Sequence, residues 1–414
     1  MKKILLLGGS AQQIVAIEAA KKLGYYTVLC DYLTDNPGQY HADRFYLVST
    51  IDKEAVLQVA KDEKIDGVLA YASDPAAPTA AYVAEQLGLP TNPASAVNTL
   101  CNKDRFRKFL RENGLPTPFA KGYAAEQSAS EETGLFRLPV IVKPVDSSGS
   151  KGATVLHDWA QLDEAVAFAL SFSREKRYII EEYIEKGYPY VIGGDVFVVN
   201  GKVEMWGLMN CHRDSNVNPL VPVGKSFPTN LAPNVENAVK DTIQRILTSL
   251  GYSNGPVNVE LIVDQNQVVW PIDFGPRCGG NMIPVLMQRI FSVDIPELSV
   301  RAALGEELDL HIHQSEHCFA TYNLHSDRAG TLAEIRCSNV LRPYIKEIHM
   351  YSKTGDPVEY FDNASKALGI LIMEFTDRSF RDRIMSEIRD HIITVLEEDL
   401  TACGSDYQVL PQTV

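Results

Sequence analysis

The opening stretch of the chain imposes the strongest constraint on its fold. Short aliphatic runs, KILLLG, TVLCDY, FYLVS and GVLAY, alternate with helical patterns over about residues 11–23 and from about Lys53. Strands joined through helices lie side by side in one direction, so this alternation predicts a parallel sheet wrapped by helices. A further helix is expected near 78–87, ending at Gly88, and LGLPTNPAS reads as an irregular connector rich in Pro and Asn. The first domain boundary falls close to residue 97.

With 414 residues the chain exceeds one ordinary core and suggests two or three domains. A composition of 45% hydrophobic and 22% charged residues is that of a globular protein, and the formal net charge of -14 disfavours nucleic acid and anionic membrane as partners. The start, MKKILLLGGSAQQ, has two lysines and an apolar run, but Gly8, Gly9, Gln12 and Gln13 end that run too early for a signal peptide. It reads as a first buried strand. No window approaches the roughly 18 to 20 apolar residues of a membrane span. Seven cysteines without CxxC spacing argue against a disulfide framework or a thiolate zinc site, and a reducing cytoplasm is the expected compartment.

Beyond residue 97 the pattern changes. A helix around CNKDRFRKFLREN closes at Gly114, followed by LPVIVKP, a Gly/Ser loop, the strand ATVLH, a helix over about 160–171 and the strand RYIIEEYI. Then come VFVV, VEMWGLM, a helix near 234–250 and the hairpin VNVELIV-DQNQ-VVWPIDF. The last hundred or so residues, with FATYNLH, GTLAEI, IKEIHMY, a KTGDPV turn, ALGILIMEF and a final helix, read as a separate antiparallel sheet with helices. The expected domains are 1–97, 98–313 and 314–414.

The hairpin allows its side chains to be placed. With DQNQ as the turn, Asn258 faces Asp273 and Glu260 faces Pro271. Asn258, Glu260, Asp273 and Gly275 then share one face beside Arg277, and Val257, Val259, Leu261 and Val263 form the buried face. On the residues alone, that polar face is either a magnesium site shared with nucleotide phosphates or a solvated surface with an arginine counterion. In the loop from Asp146 to Gly152, the small residues Ser147, Ser148, Gly149, Ser150, Lys151 and Gly152 can bring amides and hydroxyls to phosphate oxygens, with Lys143 adding charge. A plain hairpin loop is the simpler reading. It is not a Walker A loop, because Lys151 is followed by Gly152.

Other candidates carry less. Lys103 reads by default as a surface lysine. GGSAQQ sits at a strand-to-helix turn able to bind an anion, yet Ser10 and Gln13 stand where a dinucleotide fingerprint needs glycines, which argues against dehydrogenase chemistry. Asp31 reads as a turn opener. His212 and Arg213 lie in CHRDSNVNPLVPVGKS, a substrate loop or a solvated connection, and HIH at 311–313 reads as a strand whose His311 and His313, with His317, face the surface. No cysteine has a neighbouring base that suggests a nucleophile.

In their order and spacing, NKDRFRKFLRENGLPTP, VKPVDSSGSKG, YIIEEYI, NVELIV and PIDFGPRCGGN resemble the ATP-grasp superfamily, in the branch of carbamoyl-phosphate synthetase halves, purine-biosynthetic ligases and amino-acid ligases. The resemblance covers nearly the whole chain. It implies an α/β fold: an N-terminal parallel-sheet domain, an ATP-grasp domain of α+β type and a C-terminal α+β subdomain. It also implies that Lys103 and Lys143 meet the nucleotide, that residues 147–152 form a flap over the β- and γ-phosphates, and that the backbone from Glu181 through Glu182 and Tyr183 to Ile184 meets adenine. Glu260 and Asp273 would hold Mg2+, or Mn2+ in its place. Arg277, the catalytic residue together with Lys143, would steady the transferred phosphate.

The implied activity is ATP-dependent activation of a small carboxylic acid as an acyl phosphate that an amine attacks, releasing ADP and phosphate. Carbamoyl- or formyl-phosphate chemistry is the near alternative. A nucleotide-binding module without turnover is the distant one. Small-molecule acid and amine are the implied partners, with a homodimer as the assembly to test. The chain departs from the family's E-x-N-P-R pattern, which reads here Asp273-Phe274-Gly275-Pro276-Arg277, so the amide ligand is lost. Asn258 and Asn281 are the candidates to replace it, and Asp195 is the only acid near the place where a ribose-binding glutamate is expected.

Overall fold

The computed structural model describes residues 1–400 and 404–411. The chain divides into two compact units: Met1–Ser148, Gly152–Leu208 and Leu231–His313 form the first, and Gly149–Lys151, Met209–Asn230 and Gln314–Val414 the second.

The first unit opens with the alternation that the sequence predicts. β1 (Lys3–Leu7), α1 (Ile14–Lys22), β2 (Tyr26–Asp31), β3 (Arg44–Leu47), α2 (Lys53–Glu63), β4 (Gly67–Leu69) and α3 (Ala77–Leu87) build a parallel sheet of order β3-β2-β1-β4. Four of the five β1 residues are buried, as a strand covered on both faces requires. A helix not expected from sequence, α4 (Ala94–Leu100), follows; its N-cap is Pro93, a residue that tolerates a helix start but not a helix interior.

Next come α5 (Lys103–Glu112), β5 (Ala120–Ala124), β6 (Val140–Pro144), β7 (Thr154–Leu156), α6 (Leu162–Phe172) and β8 (Arg177–Glu182), whose strands pair in the order β5-β8-β6-β7. β9 (Val191–Val199) leads into β10 (Lys202–Arg213), which passes from the first unit into the second at Met209. After β11 (Pro222–Phe227) in the second unit, the first resumes with α7 (Pro233–Ser249), β12 (Gly255–Val263), β13 (Val269–Gly275), α8 (Ile283–Phe291) and α9 (Ile295–Ala303). β12 runs antiparallel between β9 and β13. Its alternate residues Val257, Val259, Leu261 and Val263 are buried against Val239, Ile243 and Ile246 of α7, which is the apolar face expected from sequence.

In the second unit, the end of β10 pairs with β11, β11 with β14 (Cys318–Leu324), and β14 with β18 (Gly369–Phe375), which also takes β16 (Ile345–Met350). β15 (Gly330–Ser338) lies between β17 (Pro357–Val358) and β19 (Ile392–Leu396), and β20 (Tyr407–Val409) joins it. Of the C-terminal strands, β14, β18 and β16 continue the sheet of β11, whereas β15, β17, β19 and β20 form the separate antiparallel sheet expected from sequence. The chain does not close on a single helix: α10 (Arg378–Ser386) and α11 (Ile388–His391) give way to β19, whose sequence IITVL is rich in β-branched residues that fit a strand better than a helix. Leu332, Ile335, Phe361, Leu371, Met373 and Phe375 are among the fully buried side chains of this core. No helix among the described residues is long and apolar enough to cross a membrane.

Candidate active site

The hairpin pairs differently from the expected register. Asn258 lies opposite Gly275, and Glu260 lies opposite Asp273; a bulge after Glu260 then brings Leu261 opposite Pro271. A longer turn shifts the pairing by one position and the bulge by a second. The strands end at Val263 and Val269, and Asp264 Oδ1 accepts from the amides of Asn266 at 2.8 Å and Val268 at 2.9 Å, which stabilises a longer loop than DQNQ. The shift joins the two carboxylates as direct cross-strand neighbours, a like-charge arrangement that needs a cation.

One cation already stands there. Lys103, the first residue of α5, has its ammonium 3.4 Å from Asp273 Oδ2 and donates to the Ser147 carbonyl at 2.5 Å. Its backbone amide also donates to the Val145 carbonyl at 2.8 Å, so the helix start is fixed to the strand end that carries the loop. Lys103 is thus no ordinary surface lysine. No group of three or more His, Cys, Asp or Glu side chains that could hold a metal occurs among the described residues. Two carboxylates with a cation at their edge suit a divalent ion whose remaining ligands are phosphate oxygens and water.

Lys143 on β6 is buried and lies 2.8 Å from Glu181 Oε2 on β8. Arg107 of α5, also buried, approaches the same carboxylate: its Nη2 donates to Oε2 at 3.2 Å, while its Nε and Oε1 stand 3.0 Å apart without the alignment of a hydrogen bond. Arg107 further donates to the carbonyls of Pro271 at 3.3 Å and Ile272 at 2.7 Å, tying α5 to β13. Burial pushes the Lys143 ammonium down to about 8, against the opposing pull of Glu181. Burial would raise the Glu181 carboxyl, but Arg107 and Lys143 overcome it and hold the group at about 2. Glu181 therefore places a buried carboxylate between two buried cations.

Farther along the same segment, the amides of Glu182 and Tyr183 donate to Phe119 O at 2.9 Å and Pro139 O at 3.0 Å, and the Glu182 carboxylate receives Arg137. The Ile184 amide has no partner among the described residues, which leaves one donor for the edge of a planar ring.

Arg277, beyond β13, is gripped by an aspartate that the sequence did not single out. Its Nε donates to Asp74 Oδ1 at 2.7 Å and its Nη2 to Asp74 Oδ2 at 2.5 Å, a two-point contact, and its Nη1 donates to the Cys278 carbonyl at 2.9 Å. Burial opposes the charge on Asp74, but Arg277 and then the Ser148 hydroxyl keep its carboxyl below the usual range; Asp74 in turn raises Arg277. The departure at Gly275 has its reason here: a Cβ on Gly275 would lie 2.5 Å from Asp74 Oδ1. Asp74 stands in the loop between β4 and α3, where SDP reads as a helix start and gives no sign of a partner two hundred residues on.

The loop itself has a firm base. Asp146 accepts from Ser173 Oγ and from the amides of Arg174 and Glu175, each at 2.9 Å. Gly149 and Ser150 both have positive φ, at 65° and 62°, and Ser150 Oγ donates to the Leu220 carbonyl at 2.8 Å within the second unit, to which Lys151 also belongs. Gly152 has a φ of 74°, and a Cβ there would come within 2.9 Å of Pro144.

Several expected groups are engaged elsewhere. Asn258 donates to Gly194 O and Asp195 Oδ1, and Asp195, fully buried, also accepts from the Gly279 amide at 2.8 Å. Neither replaces the lost amide or reaches for a ribose. Asn281 remains, with a φ of 56° and its amide donating to Gln12 Oε1 at 2.8 Å. At the first turn, the Gly9 amide donates to Asp31 at 2.7 Å and the Ser10 amide to Gln13 Oε1 at 2.9 Å, so the N-terminal amides serve the protein's own side chains. Asp31 is the turn residue that the sequence suggests, with Oδ1 receiving the Leu33 amide. His212 and Arg213 lie on β10 instead of in a loop, and burial pushes His212 down to about 4. His311 and His313 lie outside any strand, and like His317 they are exposed; His311 pairs with Asp309 and His317 with Glu374.

The chain compares with known proteins at both levels. Residues 136–285 match the ATP-grasp domain, and residues 17–91 the ATP-grasp N-terminal domain. An uncharacterized protein of Sinorhizobium fredii, y4rH, is 26% identical over 91% of this chain and 79% of its own length. The formate-dependent phosphoribosylglycinamide formyltransferase of Pelobacter propionicus is 27% identical over 73% of this chain and 75% of its own. Among solved structures, an L-amino acid ligase from Bacillus licheniformis superposes with a TM-score of 0.80 at 20% identity, covering 96% of this chain and 99% of that one. The chain belongs to the ATP-grasp superfamily, in its carboxylate-amine ligase branch.

Proposed function

We propose that the chain activates a small carboxylic acid with ATP and magnesium and passes the acyl group to an amine. In this reading an oxygen of the acid attacks the γ-phosphorus, the bond to ADP breaks, and the amine nitrogen then displaces phosphate from the acyl carbon and loses a proton. Glu260 and Asp273 hold the metal, which neutralises charge on the transferring phosphoryl group. Lys103 and Lys143 bind phosphate oxygens, residues 147–152 cover them, and the backbone from Glu181 to Ile184 receives adenine. Arg277, held by Asp74, keeps its guanidinium on the transferred group.

The carrying observation is the direct opposition of Glu260 and Asp273 with the Lys103 ammonium at their edge. Formyl-phosphate chemistry is the second reading, favoured by the likeness to the Pelobacter formyltransferase. Gly275 in place of an amide ligand is the feature that speaks for a module without turnover, and the Asp74 side chain beside that glycine gives it another reason to be there.

Phosphate release should be screened over panels of acids, formate included, and amines, with products identified by mass. Magnesium-dependent release that needs one acid and one amine is expected, and Glu260→Gln should lower it about a thousandfold with the fold intact. Tight ATP binding without turnover across the panels, or near-normal activity of Glu260→Gln, would overturn the assignment.

A further inference from the structure

Lys225 is the fourth residue of the six in β11, a strand paired on both sides. Its register neighbours are Cys211 on β10 and Thr321 on β14, and Ile372 lies beyond Thr321 on β18. All are buried: Lys225 is 7% exposed, Cys211 1% and Thr321 2%. The ammonium makes no hydrogen bond or ion pair with any described residue. Two acids of β18 and β16 share this sheet face: Glu374, two positions from Ile372, pairs with His317, and Glu347, opposite Ile372, pairs with His349.

A buried lysine normally either has an anionic partner or slides its charge out to water along its stem. From a central strand the sheet edge lies beyond reach, because each neighbour adds about 4.8 Å. The charge must point off the sheet face instead. Beside it, Thr321 Oγ1 accepts from the Lys225 backbone amide at 3.2 Å, and its own proton has no acceptor among the described residues. A lysine and a threonine therefore stand as cross-strand neighbours on one face of the sheet, and neither the ammonium nor the hydroxyl proton has an acceptor among the described residues.

We propose that Lys225 and Thr321 form an oxyanion site, for a carboxylate or a phosphate supplied from outside the chain. An ammonium suits both as a compact point charge, and the hydroxyl adds direction. This site stands apart from the ligase reading, and its test needs no turnover.

The full chain should be titrated calorimetrically with sodium formate and, separately, inorganic phosphate at constant ionic strength, alongside Lys225→Met, Lys225→Arg and Thr321→Val. For at least one probe, the dissociation constant should rise about tenfold or more in Lys225→Met and recover in part in Lys225→Arg. Loss of formate alone assigns a carboxylate, and loss of phosphate alone a phosphate. Mg-ADP binding within about twofold of wild type shows that the variant is folded. If Lys225→Met also loses Mg-ADP, Thr321→Val decides: weaker anion binding with Mg-ADP retained supports the site, and unchanged binding overturns it. Equal binding of both probes by the wild-type chain and Lys225→Met overturns it as well.

Discussion

Lys143 and Glu181 face each other at 2.8 Å in a buried position, and the consequence can be read in pH. Below about 8 the Lys143 ammonium is present in the folded chain and, in the proposed site, available to nucleotide phosphates; above it the charge is lost. The dissociation constant for ATP should therefore climb above about pH 8, with a slope approaching about one decade per pH unit, and be flat below it. A flat profile to pH 10 or so would remove Lys143 from the nucleotide site. Stability moves the opposite way. Because the folded value lies below the unfolded one, the burial penalty is fully present below about 8 and fades as pH rises toward the ordinary lysine range. Asp74 supplies a second expectation at this scale. Asp74→Asn removes the charge that grips Arg277 and should lower kcat about ten- to a hundredfold with little change in the KM for ATP. Gly275→Ala should do the same by pushing Asp74 aside, and the double variant should be no worse than either single one. Additive losses would show that the two residues act separately.

Among the elements, what was legible followed from periodicity. The parallel β1–β4 sheet, the α7 helix and the buried face of β12 all announce themselves through apolar spacing, because burial of one face or of both acts on every second or every third to fourth residue. What was not legible depends on contacts made later. Asp264 closes the β12–β13 loop with its own side chain, which shifts the register by one position, and the bulge after Glu260 adds the second that sets Glu260 opposite Asp273. IITVL continues a helical stretch in sequence, but β15 offers it an edge, and pairing prevails over the neighbouring pattern. Likewise Glu260, Asp273, Lys103 and Lys143 were recognisable as residues, whereas Arg107 and Asp74, which hold Glu181 and Arg277, carry no local signature at all.

For the whole molecule, a ligand that binds only the folded chain must raise its stability. Mg-ATP at about a hundred times its dissociation constant should add about 2.7 kcal/mol, seen as a higher denaturant midpoint, and ATP with a chelator should add less. Equal protection with and without the metal would argue against a site built around Glu260 and Asp273. The closed first turn bears on redesign. Its glycines, strand and helix have the makings of a phosphate cradle, yet Asp31 and Gln13 plug it from within. Replacing those side chains, and Asn36, which also closes on Gly9, is where grafting a new specificity onto this turn would begin.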